Sequence, residues 1–105
     1  MIREIDLSSK EAYLAWVMEW KGAWKALVSE IRHHKRQRRE NRNRARGLGE
    51  RYASARDSRY RRMWFHDSEA KRLRAHARDM LELRRSGKEQ SWALRCAEQE
   101  AAEAA

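Results

Sequence analysis

Tyr13, Val17, Trp20, Trp24, Leu27 and Ile31 follow one another at steps of 4, 3, 4, 3 and 4. That spacing returns every side chain to one stripe of an α-helix, alternating the a and d positions of a heptad, and no strand period fits it. The chain has no proline and only four glycines among its 105 residues. Sandwiches and barrels need turn residues about every 8 to 12 positions, so an all-β fold is excluded. A second stripe, Ala70, Leu73, Ala77, Met80 and Leu83, predicts a second helix. The length allows one small domain.

The boundaries come from local chemistry. Leu7-Ser8-Ser9-Lys10-Glu11 reads as a helix start in which Ser8 caps a free amide and Glu11 reaches back to the Ser8 N–H. Gly47 and Gly49 mark the reversal, since glycine tolerates the left-handed backbone that ends many helices. The expectation is an all-α fold, a long antiparallel, coiled-coil-like helical hairpin forming a single helical domain over 1–105. It comprises a helix over 8–45, a turn over 46–58 and a helix over 59–104; Ser86-Gly87 leaves open a break that makes a third C-terminal helix. A reversal near residue 55 makes facing residue numbers sum to about 111, pairing Ile31 with Met80, Trp24 with Gly87, Val17 with Leu94 and Tyr13 with Glu98. Past Ile31 the seam continues as His34, Arg38 and Asn41, so its dry part stops while the helix persists.

Trp16, Trp20, Trp24 and Trp92 lie in or beside the seam, more indole than one two-helix contact covers. They are the expected oligomer or partner interface, with a homodimer as the assembly; the alternative is a third layer of the same chain.

Lys and Arg number 25 against 16 Asp and Glu, a net charge of +9. From Arg32 to Arg62 there are 13 basic and three acidic residues (Glu40, Glu50 and Asp57), so this third of the chain alone carries +10. Arginine is suited to phosphate and base edges, and helices rich in Arg with interspersed Asn and Gln enter nucleic-acid grooves. The candidate nucleic-acid-binding residues are Arg32, Lys35, Arg36, Arg38, Arg39, Arg42, Arg44, Arg46, Arg51, Arg56, Arg59, Arg61 and Arg62, with DNA or RNA as the partner. The bland alternative is a solvated charged face. Tyr52, Tyr60, Trp64 and Phe65 offer rings for unpaired bases, although Tyr60, Met63, Trp64 and Phe65 are read first as a small core closing the hairpin tip.

No catalytic constellation has support from spacing, so no enzymatic activity and no cofactor are expected. His33, His34, His66 and His76 invite a metal, and the hairpin register brings His34 near His76. There is no Cys pair and no H-E-x-x-H, so no metal site is expected. Cys96 stands alone beside Ala93 and Ala97 and reads as a small core residue in a chain without disulfides, which points to the cytoplasm. The N-terminus lacks the apolar region of a secretory signal, and the longest uncharged run, Ala12 to Met18, is too short to cross a bilayer, so no membrane partner is expected.

The opening Met1-Ile2-Arg3-Glu4-Ile5-Asp6-Leu7-Ser8-Ser9-Lys10-Glu11-Ala12-Tyr13-Leu14, and the segment Ala77-Arg78-Asp79-Met80-Leu81-Glu82-Leu83-Arg84-Arg85 with Lys88-Glu89, resemble the small early and accessory proteins of short-tailed (podovirus-like) bacteriophages. The resemblance implies a protein made in the infected host's cytoplasm that acts by binding. Its second implied role is inhibition of a host nucleic-acid-processing or defence enzyme, the arginines then facing acidic side chains instead of phosphates.

Overall fold

The computed structural model describes residues 2–105. Two helices account for almost all of them: α1 over Lys10–Arg46 and α2 over Ala53–Ala104, with a single 3-10 turn at Glu50–Tyr52 between them. No strand occurs among the described residues, and the fold is the expected all-α helical hairpin. α2 runs unbroken through Ser86 and Gly87, so there is no separate C-terminal helix.

The cap of α1 is one residue later than expected. Ser9 Oγ accepts from the Ala12 N–H at 3.0 Å, while the Ser8 hydroxyl and N–H both turn to Asp6 Oδ1, at 2.6 and 3.0 Å. The two hydrogen bonds from Ser8 hold the Asp6 carboxyl below the usual carboxylate range.

The reversal also differs from expectation, being confined to the residues between Arg46 and Ala53, so that residues 53–58 belong to α2. No described glycine has a positive φ. α1 instead ends by tightening, with Leu48 N donating to Ala45 O at 3.1 Å, and Gly49 then carries the chain onward in an extended conformation. With a turn this short, facing residue numbers sum to about 100 rather than 111, as the pairs Trp20–Met80, Tyr13–Gly87, His34–His66 and Asn41–Arg59 show. Each expected partner on α2 therefore moves by about 11 residues, close to three helical turns, which keeps the same face of α2 toward α1. Gly87 still meets an indole, but that of Trp16 instead of Trp24.

The contacts divide the chain into two compact units, each containing a length of both helices. The first comprises residues 2–24 with Arg78–Ala105. Its centre is Trp16, which is fully buried, lies stacked beside Tyr13 at 6.1 Å between ring centroids, and donates its indole N–H to the Arg3 carbonyl at 2.9 Å. That bond ties the N-terminal segment to α1, and Arg3 adds an exposed ion pair to Glu19 at 2.8 Å. Trp20, also buried, donates to the Met80 carbonyl at 2.9 Å and stacks on Trp24 at 5.4 Å. Arg84 lies over the Trp20 ring at 6.0 Å and donates to Tyr13 Oη at 2.9 Å. Both buried indole N–H groups are thus satisfied, which avoids about 1–3 kcal/mol apiece of desolvation penalty.

The second unit, Lys25–Ala77, has a narrower apolar seam. Leu27, Ala45, Ala70 and Leu73 are buried, and so are His34 and Asn41.

Two glycine substitutions separate packing from propensity. A Cβ at Gly87 lies 3.3 Å from the Trp16 ring, so Gly87→Leu overpacks a site whose neighbour is fully buried and lowers stability by roughly 1–3 kcal/mol. Gly22 has nothing within 4 Å of its Cβ position, so Gly22→Ala gains helix propensity and raises stability by about 0.5–1 kcal/mol. Urea unfolding followed by circular dichroism reads both shifts, and equal midpoints for the two variants contradict this packing.

Candidate nucleic-acid interface

The seam of the second unit remains helical because its polar residues find partners across it. His34 Nδ1 and His66 Nδ1 are 2.8 Å apart, so one imidazole donates its N–H and the other accepts. Arg38 donates to Asp67 Oδ1 at 2.8 Å, and Lys71 approaches the other carboxylate oxygen at 3.1 Å. The hydrogen bond from Arg38, then that from Lys71, holds the Asp67 carboxyl below its usual range. The Asn41 amide donates to the Gln37 carbonyl at 2.8 Å, and its oxygen accepts from Arg59 at 3.3 Å. Helical periodicity places His34, Arg38 and Asn41 on the inner stripe, and the facing stripe of α2 meets each with a matching group.

The 13 candidate basic residues therefore separate into two sets. Arg38, Arg42, Arg56 and Arg59 are half-buried: Arg38 and Arg59 hold the seam, Arg56 is 3.9 Å from Asp57, and Arg42 has its Nε shielded from solvent without a hydrogen-bond partner. Arg32, Lys35, Arg36, Arg39, Arg44, Arg46, Arg51, Arg61 and Arg62 are exposed, and none of these nine forms an ion pair among the described residues. Arg51 leans on the Tyr52 ring at 5.8 Å. On α1, Arg32, Arg36, Arg39, Asn43 and Arg46 recur at helical spacing on the outward side. Lys25–Ala77 as a whole carries 17 basic against six acidic side chains, a net charge of +11.

The aromatic residues also separate differently from expectation. Trp64 and Phe65 do not close a tip core: they are 60% and 58% exposed, while Tyr60 and Met63 are half-buried. Tyr60, Met63, His66, Asp67, Ala70 and Leu73 form the inward stripe of α2, which leaves positions 64 and 65 on its outer side. Of the expected interface tryptophans, Trp16 and Trp20 are core residues of their own chain and Trp24 is half-buried against Trp20, because the Arg3 carbonyl and Gly87 meet Trp16 and the Met80 carbonyl and Arg84 meet Trp20. Only Trp92, 66% exposed, is open to a partner.

Among the described residues no three His, Cys, Asp or Glu side chains converge as a metal site. His34 faces His66 and not His76, which is exposed, because of the shorter turn. Cys96 is free and half-buried. Among the described residues no helix is long and apolar enough to cross a membrane. No family model matches the chain, and no curated protein or solved structure is significantly similar to it.

Burial, then the neighbouring His34 and His33, pushes the His66 pKa below the ordinary imidazole value of about 6.5. A folded pKa below the unfolded one means that the unfolded chain binds the extra proton, so stability is complete above about pH 6.5 and declines as pH falls through that value toward the folded pKa. One such group contributes a slope of at most about 1.4 kcal/mol per pH unit. Thermal melts at several pH values between about 7.5 and 5 should therefore show a decline that is shallower in His66→Gln than in the parent; parallel curves would count against a clasp that must stay partly neutral.

Proposed function

We propose that this protein is a non-enzymatic binder of nucleic acid that engages phosphates through the outward faces of residues 32–62. The observation that carries this reading is the set of nine exposed basic side chains, none in an ion pair, on a unit with a net charge of +11. So many unpaired like charges on two adjoining helices repel one another, and a polyanion relieves that repulsion while releasing its counterions. Eight of the nine are arginines, whose planar guanidinium forms paired hydrogen bonds with phosphate oxygens. Arg38 and Arg59 belong to the scaffold that presents them.

The apolar residues exposed on the other unit favour a second reading. Leu14, Met18, Leu81 and Trp92 are open there, on a unit of net charge −2, a surface suited to a second copy of the chain or to a protein partner such as a host nucleic-acid enzyme.

Replacing Arg32, Arg36, Arg39, Arg44 and Arg46 together by Gln removes five exposed charges and leaves the seam and the helix propensity nearly unchanged. On the nucleic-acid reading the parent binds with an affinity that falls steeply with salt, and the variant's slope of log K against log salt is shallower by roughly 3 to 5 units if all five contact phosphate. No measurable binding by the parent at about 0.15 M salt would reject this reading in favour of protein docking.

A further inference from the structure

Trp64 and Phe65 are the largest apolar side chains left open on the basic unit, and both are held in place. The Tyr60 ring lies nearly parallel to the Trp64 indole, with centroids 6.3 Å apart and planes inclined by 25°. Phe65 is met edge-on by His66 at 5.2 Å and by His34 at 6.3 Å. More than half of each residue's surface nevertheless remains in water. Rings that are oriented but uncovered lose little freedom when a ligand covers them, which is the condition under which aromatic contacts bind best.

The surroundings narrow the occupant. Arg61 is one turn before both rings, Arg62 is beside it, and Ser68 and Arg72 continue the same outward stripe at helical spacing. Arg61 and Arg62 form no ion pair, whereas Arg72 is engaged by Glu69 at 2.8 Å. The facing register puts Arg39 and Arg36 of α1 level with residues 61 and 64 of α2. This stripe is too polar to enter a bilayer, and a unit of charge +11 repels a second copy of itself. What combines a flat apolar face with regularly spaced negative charge is a nucleobase on its phosphate backbone. In a duplex those faces are stacked against one another and only the base edges are open, whereas an unpaired strand offers them to an aromatic ring.

We propose that Trp64 and Phe65 form a stacking platform for unpaired bases, and that the preferred ligand of the basic unit is single-stranded nucleic acid, held at its phosphates by Arg61, Arg62 and the exposed arginines of α1. This rests on the nucleic-acid reading above and names the ligand class that the reading leaves open.

The test uses the full chain and fluorescence anisotropy with labelled oligo-dT, oligo-U and a mixed-sequence duplex of equal length at one salt concentration. Either single strand should bind more tightly than the duplex. Trp64→Ala and Phe65→Ala should each weaken single-strand binding by about 5- to 150-fold, the range of one lost base stack, and leave duplex binding unchanged. Trp64→Phe, which keeps a ring, should restore most of the loss, and unchanged far-UV circular dichroism shows that the helices persist. Equal binding of strand and duplex, or single-strand binding indifferent to both alanine variants, overturns the platform while leaving phosphate binding intact. Failure to bind any of the three, with binding instead to anionic lipid vesicles or to no polyanion, overturns both the platform and the nucleic-acid reading.

Discussion

The short connection between α1 and α2 is the constraint on which the rest depends. Gly47 to Tyr52 give the chain no slack, so the register of the hairpin follows from the turn and runs as facing numbers that sum to about 100. Every cross-helix partnership follows from it: Gly87 beneath Trp16, the Met80 carbonyl at the Trp20 indole, His66 at His34, and Asp67 at Arg38. Moving α2 by a single residue turns its inner stripe by about 100° and separates all of these groups.

Two solutions to the same packing problem coexist along this hairpin. A pair of helices alone leaves much of its surface wet. The first unit answers with bulk: Trp16 and Trp20 fill the seam, and the Trp16–Arg3 hydrogen bond ties the N-terminal segment to it. In the second unit the apolar residues are few and the seam relies on matched polar groups. A half-satisfied polar seam is worse than an apolar one, so the His pair, the Arg38–Asp67–Lys71 cluster and the Asn41–Arg59 bond stabilise the helices only because each has its partner. The arrangement leaves the outer faces free to carry a large excess of basic over acidic side chains.

That freedom links scaffold and function. Arg38 and Arg59 on the inner stripe are engaged by Asp67 and Asn41, whereas the arginines of the outer stripe are exposed, so the charge count alone overstates how much basic surface is open. Trp64 and Phe65 lie on the outer side with that second group: Trp64 is stacked by Tyr60 and Phe65 is met edge-on by His34 and His66, and both rings stay open beside Arg61 and Arg62.

The helices, the stripe from Tyr13 to Ile31, the stripe from Ala70 to Met80 and the concentration of arginine are all legible in the residues, because periodicity and charge are local properties. The register was not legible, since glycines locate a reversal without giving its length, and a placement near residue 55 instead of 50 mispaired His34 with His76 and Trp24 with Gly87. Trp16 and Trp20 read as interface residues because no pattern announces that the Arg3 and Met80 carbonyls accept their indole hydrogen bonds. Trp64 and Phe65 read from the residues first as part of a small core at the hairpin tip, and only their exposure shows that they are not core. An all-α hairpin with a basic middle follows from charge and periodicity, which neighbouring residues carry. Which arginines and which rings face outward depends instead on contacts between residues far apart in the chain, and so emerges only when the helices pack.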